Sequence, residues 1–166
     1  MPEGALALFP YLGKYKKLLG AYKFDKNIAL GNFFAEKIAL AIEAARQSFF
    51  DGATVGIVPV PPRPGKIRSA GWDQIELLAR LLEKRRVEGA VAHRCLKRLK
   101  SKAQKDLGRE GRRANLRGRI EPCRAAPEAA FLIDDVMTTG STIEACARAL
   151  REGGAKSVFS LCLFYD

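Results

Sequence analysis

Two adjacent aspartates and a hydroxyl-rich turn carry the clearest chemistry in this sequence. Asp134 and Asp135 directly follow the apolar run 131–133, which is typical of a central parallel strand. The next residues are too rich in Gly and Thr to continue the strand. From Ser141 onward apolar residues recur at helical spacing, with Ser141 as the expected N-cap and Glu144 three residues later. The stretch 131–142 therefore predicts a buried strand, a tight turn and a helix.

A turn that opens onto a helix N-terminus is suited to binding a phosphate. The free amides of the first helical turn and the helix dipole both attract an anion. Gly140 lets the backbone approach closely, and hydroxyl donors surround the same place: Thr138, Thr139, Ser141 and Thr142. The two aspartates would repel a phosphate, so we expect them to face vicinal ribose hydroxyls, or Mg²⁺ through its waters.

Length and composition indicate one soluble domain. The 166 residues are enough for a single good core, and 48% of them are hydrophobic. No apolar run is long enough to span a bilayer, and no basic leader precedes 5–9, so we expect no signal peptide and a cytoplasmic location. The four cysteines include no Cys-x-x-Cys pair, which argues against zinc. We expect Cys146 and Cys162 to be buried free thiols.

Positive charge is concentrated in one segment. The formal net charge is +11, and residues 94–119 hold eleven Lys or Arg against two acids. Such a segment suits a polyanion: pyrophosphate, a nucleotide or nucleic acid. The sole histidine, His93, has no identifiable partner, so we expect a structural or surface role for it.

Alternating strand and helix patterns predict an α/β fold with a mostly parallel central sheet and helices on both faces. We predict helices over 11–24, 28–49 and 72–83, followed by the helix from Ser141 to 152. Strands are expected over 53–60, 91–99, 116–120 and 157–163, besides the apolar run 131–133. Residues 1–27 form an N-terminal hood segment in this interpretation, and 28–166 form the core of the same domain.

Two loops are expected to reach the same sheet edge as the aspartates. The proline loop (residues 59–68) follows a strand and carries Arg63, Lys66 and Arg68. Ligands of open α/β sheets bind at such strand ends, although a solvated basic loop is the alternative. Residues 100–108 are polar, basic and poor in core residues, so we predict a mobile loop.

The stretch 131–142 closely resembles the signature of type I phosphoribosyltransferases, which bind phosphoribosyl pyrophosphate (PRPP). The family pattern is an apolar run, two acids, two variable residues and Thr-Gly-x-Thr. The resemblance implies that Asp134 and Asp135 hold the ribose hydroxyls and Mg²⁺, and that the turn holds the 5′-phosphate. The alternative is a strand–turn–helix of another α/β fold, such as a receiver or nucleotide-binding domain.

Over nearly its whole length the chain resembles the ComF subgroup of phosphoribosyltransferase-like proteins. The resemblance is carried by residues 22–24, 58–61, 71–79, Gln104, Leu107, Arg112, Asn115, 131–142 and 153–155. Two departures matter: this sequence has no Cys-x-x-Cys zinc module, which suggests a short form or one that starts late, and Ala70 stands where members usually have Arg. The second departure is expected to weaken anion binding at the proline loop.

The implied reaction joins a nitrogen acceptor to C1 of PRPP, with Mg²⁺ as cofactor, and expels pyrophosphate. Arg63, Lys66 and Arg68 would hold the pyrophosphate, and a flexible lid would supply Lys100, Lys102, Gln104, Lys105 and Arg112. Tyr22 and Lys23 are candidates for the acceptor side, with a packed helix as the alternative. Thr138 stands where 6-oxopurine transferases have an acid, which leaves orotate-type and amide-donor reactions open.

Two other functions remain open at this point. A catalytically silent protein could keep the PRPP site and act in DNA uptake, with which the ComF subgroup is associated, and would bind single-stranded DNA. The basic segment 94–119 favours this reading, although it has no interleaved aromatic residues for base stacking. A PRPP-sensing RNA-binding regulator has only the charge in its favour, and homodimer formation is left open.

Overall fold

The computed structural model describes residues 2–100 and 119–166. In chain order the strands are β1 Gly4–Pro10, β2 Val55–Pro59, β3 Ala90–Ala92, β4 Leu96–Arg98, β5 Ile120–Pro122, β6 Ala129–Met137 and β7 Ser157–Tyr165. The helices are α1 Gly13–Lys23, α2 Ile28–Phe50, α3 Lys66–Ala70, α4 Gln74–Arg85 and α5 Ser141–Glu152.

The central sheet has five parallel strands in the order β1-β7-β6-β2-β3. Strand β6 lies in the middle, so both of its faces are buried, as its apolar run predicts. Phe131 and Ile133 belong to the core cluster formed with α1, α2 and α4. Ala130 and Leu132 belong to the opposite cluster, formed with α5 and the small antiparallel pair β4–β5. Helices therefore cover both faces, and the predicted α/β class is confirmed as consistent with a type I phosphoribosyltransferase-like fold.

Several predicted boundaries need correction. The predicted strand 91–99 is two short strands, because β3 joins the central sheet while β4 pairs with β5. Strand β1 was not predicted, since its alternating small and apolar residues are mostly half exposed at the sheet edge. The helix α3 was not predicted inside the proline loop; it starts after Gly65, which takes the left-handed conformation (φ 83°). The predicted strand 116–120 begins in residues outside the described ranges, and β5 starts at Ile120.

Helix starts depend on local capping. Asp73 caps α4 with one carboxylate oxygen, which accepts from the amides of Ile75 (2.9 Å) and Glu76 (3.0 Å). The expected N-cap of α5, Ser141, is instead its first helical residue. Gly140 is the cap and has a φ of 69°, a conformation that glycine adopts without strain. The correction moves the cap by one residue and leaves the predicted turn in place.

Within the described ranges, no helix is long and apolar enough to cross a membrane. The four cysteines are unpaired, and Cys146 and Cys162 are buried as expected. Burial raises the pKa of both thiols, so they are inert apolar groups at neutral pH.

Candidate functional site

The carboxyl ends of β2 and β6 open onto a cavity of about 1040 Å³. The two strands are neighbours, and a hydrogen bond from the Val60 amide to the Ile133 carbonyl (2.9 Å) continues their ladder to the cavity edge. Among the described residues, the charged side chains that line the cavity are Lys23, Arg63, Lys66, Arg68, Arg98, Asp73, Asp134 and Asp135. Five cations against three carboxylates give the cavity a positive balance, which suits a multiply anionic ligand.

Asp134 and Asp135 point to opposite faces of the sheet, because side chains alternate along a strand. Asp134 continues the face of Ala130 and Leu132, towards α5. Asp135 continues the face of Phe131 and Ile133, towards α1 and α4. Both line the cavity, which lies over the end of β6. The two aspartates therefore line the same cavity, but each has different neighbouring residues.

Asp135 is held by three donors. Its Oδ2 accepts from Lys23 Nζ at 2.8 Å and from Gln74 Nε2 at 2.6 Å, and its Oδ1 accepts from the amide of Val136 at 2.8 Å. Burial alone would raise the pKa of Asp135, but the charge of Lys23 and these hydrogen bonds outweigh it and lower the pKa below its ordinary value. Asp135 is therefore ionised and fixed in orientation at neutral pH.

Asp134 lies in a different environment. Within the described ranges, the carboxylate accepts one bond, a local one from the amide of Asp135 to its Oδ1 at 2.9 Å. Burial and the neighbouring charge of Asp135 raise the pKa of Asp134 above its ordinary value, and Lys23 and Arg98 oppose this change. Asp134 therefore binds a proton more readily than Asp135, and a cationic or hydroxyl-bearing ligand would favour its ionised form.

Arg98 is a cavity residue that the sequence interpretation missed. It lies at the end of β4, where its backbone pairs with β5, and its side chain lines the cavity without a hydrogen bond or ion pair to any described residue. Burial lowers the pKa of its guanidinium, and the charge of Arg63 lowers it further, while Cys146 and Asp134 oppose this. A guanidinium remains charged at neutral pH all the same. Its place within the basic segment 94–119 and near the end of a predicted strand is the signal that could have identified it.

The turn between β6 and α5 has the shape expected of an anion cradle. Thr138 and Thr142 line the cavity, whereas Thr139 and Ser141 bond to each other through their hydroxyl oxygens at 2.9 Å. Thr138 and Thr139 are exposed, and the rest of the turn is half-buried. A Cβ added to Gly140 would meet nothing within 4 Å, so the residue leaves the turn open. The first-turn amides of α5 have no carbonyl partners within the helix, which suits this position to a phosphate.

The proline loop places its three basic residues at the same cavity, but they differ in exposure and in their bonds to the protein. Arg63 and Arg68 are exposed and line the cavity. Lys66 lies in α3, and its ammonium donates to Asp73 Oδ2 and to Gln74 Oε1, each at 2.5 Å. Two of its three donors are thus used within the protein. The loop therefore offers two freely accessible guanidiniums and one ammonium with a fixed position.

Tyr22 and Lys23 are neighbours in sequence, but only Lys23 lines the cavity. Tyr22 is fully buried, its hydroxyl donates to the Gln74 carbonyl at 2.6 Å, and its ring packs edge-on against Phe34 and Trp72. Burial raises its pKa, so it stays neutral. The ring offers no free face to an acceptor in this structure, whereas Lys23 lines the cavity. Of the expected lid residues, Lys100 is exposed; Lys102, Gln104, Lys105 and Arg112 lie outside the described residues.

The described side chains could bind Mg²⁺ only together with oxygen atoms of a bound ligand. Within the ranges that the structure describes, no group of three or more His, Cys, Asp or Glu side chains could hold a metal ion. Asp135 is already engaged, which leaves Asp134 as the more available carboxylate. Mg²⁺ usually retains several waters and is bound by one or two carboxylates plus substrate phosphates. The residues therefore fit a Mg²⁺ ion that arrives with a phosphorylated ligand.

Two curated proteins are similar to the chain over most of its length. The Competence protein ComFC of Streptococcus pneumoniae is 28% identical over 165 residues, which cover 95% of this chain and 66% of that protein. The Competence protein F of Haemophilus influenzae is 26% identical over 153 residues, covering 89% of this chain and 66% of that protein. These relatives support a ComF-family protein. The chain spans 66% of the length of each, and no protein-family model matches it.

The structure gives a physical role to residues 71–74, which carry part of the ComF resemblance. Gly71 ends α3 with a φ of 77°, and Asp73 and Gln74 then begin α4 and contact Lys66. Trp72 packs on Tyr22 beneath them. Ala70, where ComF members usually have Arg, is exposed, and its carbonyl accepts from Lys26 Nζ at 2.9 Å. The motif thus joins the proline loop to the buried start of α4.

Proposed function

We propose that the protein is a PRPP-binding phosphoribosyltransferase of the ComF type, which transfers a phosphoribosyl group to a nitrogen acceptor and releases pyrophosphate. The observation that carries this proposal is the convergence of three unlike parts on one cavity: the aspartates, the α5 N-terminal turn and the cationic proline loop. A sugar carrying a phosphate at one end and a pyrophosphate at the other needs all three. Both relatives are named as competence proteins.

Each part has a role that follows from its chemistry. Asp134 and Asp135 accept hydrogen bonds from the ribose hydroxyls, and the turn 138–142 binds the 5′-phosphate through first-turn amides and hydroxyls. Arg63, Lys66 and Arg68 bind the pyrophosphate, and Arg98 adds a charge near Arg63. When bound, Mg²⁺ would neutralise part of the pyrophosphate charge, and Asp134 is the carboxylate that would hold it.

The reaction needs positioning and charge stabilisation more than proton transfer from the protein. The C1–N bond forms as the C1–O bond to pyrophosphate breaks, and the bonding electrons leave with the pyrophosphate. Arg63 and Arg68 stabilise the charge that develops on this leaving group, while the aspartates and the turn hold the sugar. The acceptor loses its proton to solvent, since Thr138 offers no general base.

The test is a pyrophosphate-release assay with PRPP, Mg²⁺ and a panel of nucleobases and amide donors. Release that depends on one acceptor, and that is lost in the Asp134→Asn/Asp135→Asn variant, would support transfer. Isothermal titration of PRPP in the same buffer separates binding from turnover. A protein that binds PRPP and releases no pyrophosphate with any acceptor would contradict the enzymatic proposal.

A second candidate function is a catalytically silent PRPP-site protein that acts in DNA uptake. The names of the two relatives and the basic segment 94–119 favour it. Single-stranded DNA binding would be measured at increasing salt. Contacts with phosphates release counterions, so the affinity must fall steeply with salt; a flat response would exclude this function. The unpaired cysteines favour a cytosolic place for either function.

A further inference from the structure

One buried side chain connects the two halves of the cavity. Gln74 is 4% exposed, and its amide lies between the Lys66 ammonium and the Asp135 carboxylate. Lys66 Nζ donates to Gln74 Oε1 at 2.5 Å, and Gln74 Nε2 donates to Asp135 Oδ2 at 2.6 Å. The orientation of the amide follows from its partners, because an ammonium has only donors and a carboxylate only acceptors. The amide is thus fixed between a cation and an anion.

The chain of contacts leaves capacity for a ligand at both ends. Lys66 uses two of its three donors, on Gln74 and Asp73, so the third remains for an anion. Asp135 keeps unused lone pairs although Oδ2 accepts from both Lys23 and Gln74. Neither end is therefore saturated by the protein. Gln74 sets the positions of both end groups before a ligand arrives.

We propose that Gln74 is a positioning residue that couples the pyrophosphate half of the site to the ribose half, through Lys66 on one side and Asp135 on the other. This inference rests on the proposed function, because it assigns the two halves as that proposal does. A charged group at Lys66 strengthens the Gln74 donor, since hydrogen bonds in a chain polarise one another. Removing Lys66 should therefore weaken the hydrogen bond from Gln74 to Asp135, even for a ligand that does not contact Lys66.

The coupling is testable with ribose 5-phosphate, which lacks the pyrophosphate. Lys66→Met should weaken ribose 5-phosphate binding about threefold or more, although this ligand has no group for Lys66. Lys84→Met is the matched control: it makes the same replacement at an exposed lysine of α4, the helix that Gln74 begins, and Lys84 does not line the cavity, so affinity should change less than about twofold. Isothermal titration gives both affinities.

Gln74→Leu then tests whether the effect of Lys66→Met passes through Gln74. Leucine is close to glutamine in size, but it neither accepts from Lys66 nor donates to Asp135, and it adds no charge beside that carboxylate. In the Gln74→Leu background Lys66→Met should change ribose 5-phosphate affinity no more than Lys84→Met does. Thermal unfolding confirms that each variant is folded, and Gln74→Met provides a second replacement that breaks both bonds.

The outcomes distinguish this inference from the proposed function. If the unmodified protein binds PRPP and ribose 5-phosphate, and Lys66→Met behaves like Lys84→Met, the coupling through Gln74 is wrong and the proposed function stands. An effect of Lys66→Met that persists undiminished in the Gln74→Leu background also overturns the coupling. If the unmodified protein binds neither ligand, the proposed function fails and the inference fails with it.

Discussion

The ion pair between Lys23 and Asp135 gives the sharpest test of how the site is held together. The two groups are 2.8 Å apart, but their exposure is unequal: 34% of the Lys23 side chain is exposed and 11% of the Asp135 side chain. Lys23→Met therefore leaves a buried carboxylate with Gln74 as its remaining side-chain donor. Asp135→Asn leaves an ammonium that can turn towards solvent. Both substitutions remove the same ion pair, but they should lower the free energy of unfolding by different amounts.

The expected magnitudes follow from this asymmetry. Removing one partner of a fully buried pair costs about 3–5 kcal/mol, and Gln74 together with partial exposure reduces this to about 2 kcal/mol for Lys23→Met. Asp135→Asn should cost about 1 kcal/mol, because the amide keeps one oxygen as an acceptor. For a domain of this size about 2 kcal/mol corresponds to a decrease in Tm of roughly 4–8 °C. Urea unfolding at neutral pH measures both free energies.

The pH dependence provides the independent check. The pKa of Asp135 is lowered in the folded protein, so the folded state binds this proton less readily than the unfolded state. The resulting stabilisation is present above the ordinary pKa of an aspartate and is lost as pH falls through the folded value. The cost of Lys23→Met should therefore shrink as the pH falls below about 4, whereas Asp135→Asn removes this contribution to the pH dependence.

Lys17→Met is the matched control, because Lys17 lies exposed on the same helix. It should change stability by less than about 0.5 kcal/mol. If Lys23→Met and Lys17→Met unfold at the same urea concentration at neutral pH, the ion pair contributes nothing measurable. A deficit of Lys23→Met that stays constant into acid would also refute the reasoning, because it would not come from the charge of Asp135.

Three further changes test other parts of the cavity. Asp134→Asn/Asp135→Asn should weaken PRPP binding by about 100-fold or more, since each lost hydrogen bond to a charged acceptor contributes about 1.5–3 kcal/mol; unchanged affinity in a calorimetric titration would contradict the assignment of the ribose. Gly140→Ala should destabilise the protein by about 1 kcal/mol in thermal unfolding, because its φ of 69° is strained for alanine although the space is open; an unchanged Tm would contradict this. Arg63→Met should weaken inorganic pyrophosphate binding by about tenfold and make the affinity less sensitive to salt. An equal loss of ribose 5-phosphate affinity would contradict the assignment of Arg63 to the pyrophosphate.

The sequence alone predicted those parts of the site that are formed by consecutive residues. The strand, the turn and the helix of 131–142 follow one another without a gap, so their periodicity and turn residues predict each element and its order. The proline loop also follows directly from a strand end. Its three basic residues were therefore placed at the cavity edge, even though the short helix α3 was missed.

The sequence could not predict contacts between distant segments. Gln74 meets Asp135 only because the start of α4 packs against the end of β6, a separation of 61 residues. Arg98 reaches the cavity because β4 leaves the central sheet and pairs with β5, whereas the pattern predicted one continuous strand over 91–99. The aromatic and basic residues of 11–24 left both a packed helix and an acceptor surface open, and tertiary packing buries Tyr22 completely. Burial and partners of this kind depend on the packing of the whole chain.

Strand alternation also explains why two identical neighbours are not equivalent. Because the side chains of Asp134 and Asp135 leave β6 on opposite faces, Asp135 contacts Lys23 at the end of α1, whereas Asp134 lies in the field of Arg98 on the other face. Asp135 is already ionised and oriented, so it can accept a ribose hydroxyl without further change. Asp134 has a raised pKa, and a ligand that needs its charge must also favour the loss of its proton. In the proposed reaction, therefore, Asp135 fixes where the sugar lies, and Asp134 responds to the ligand that arrives.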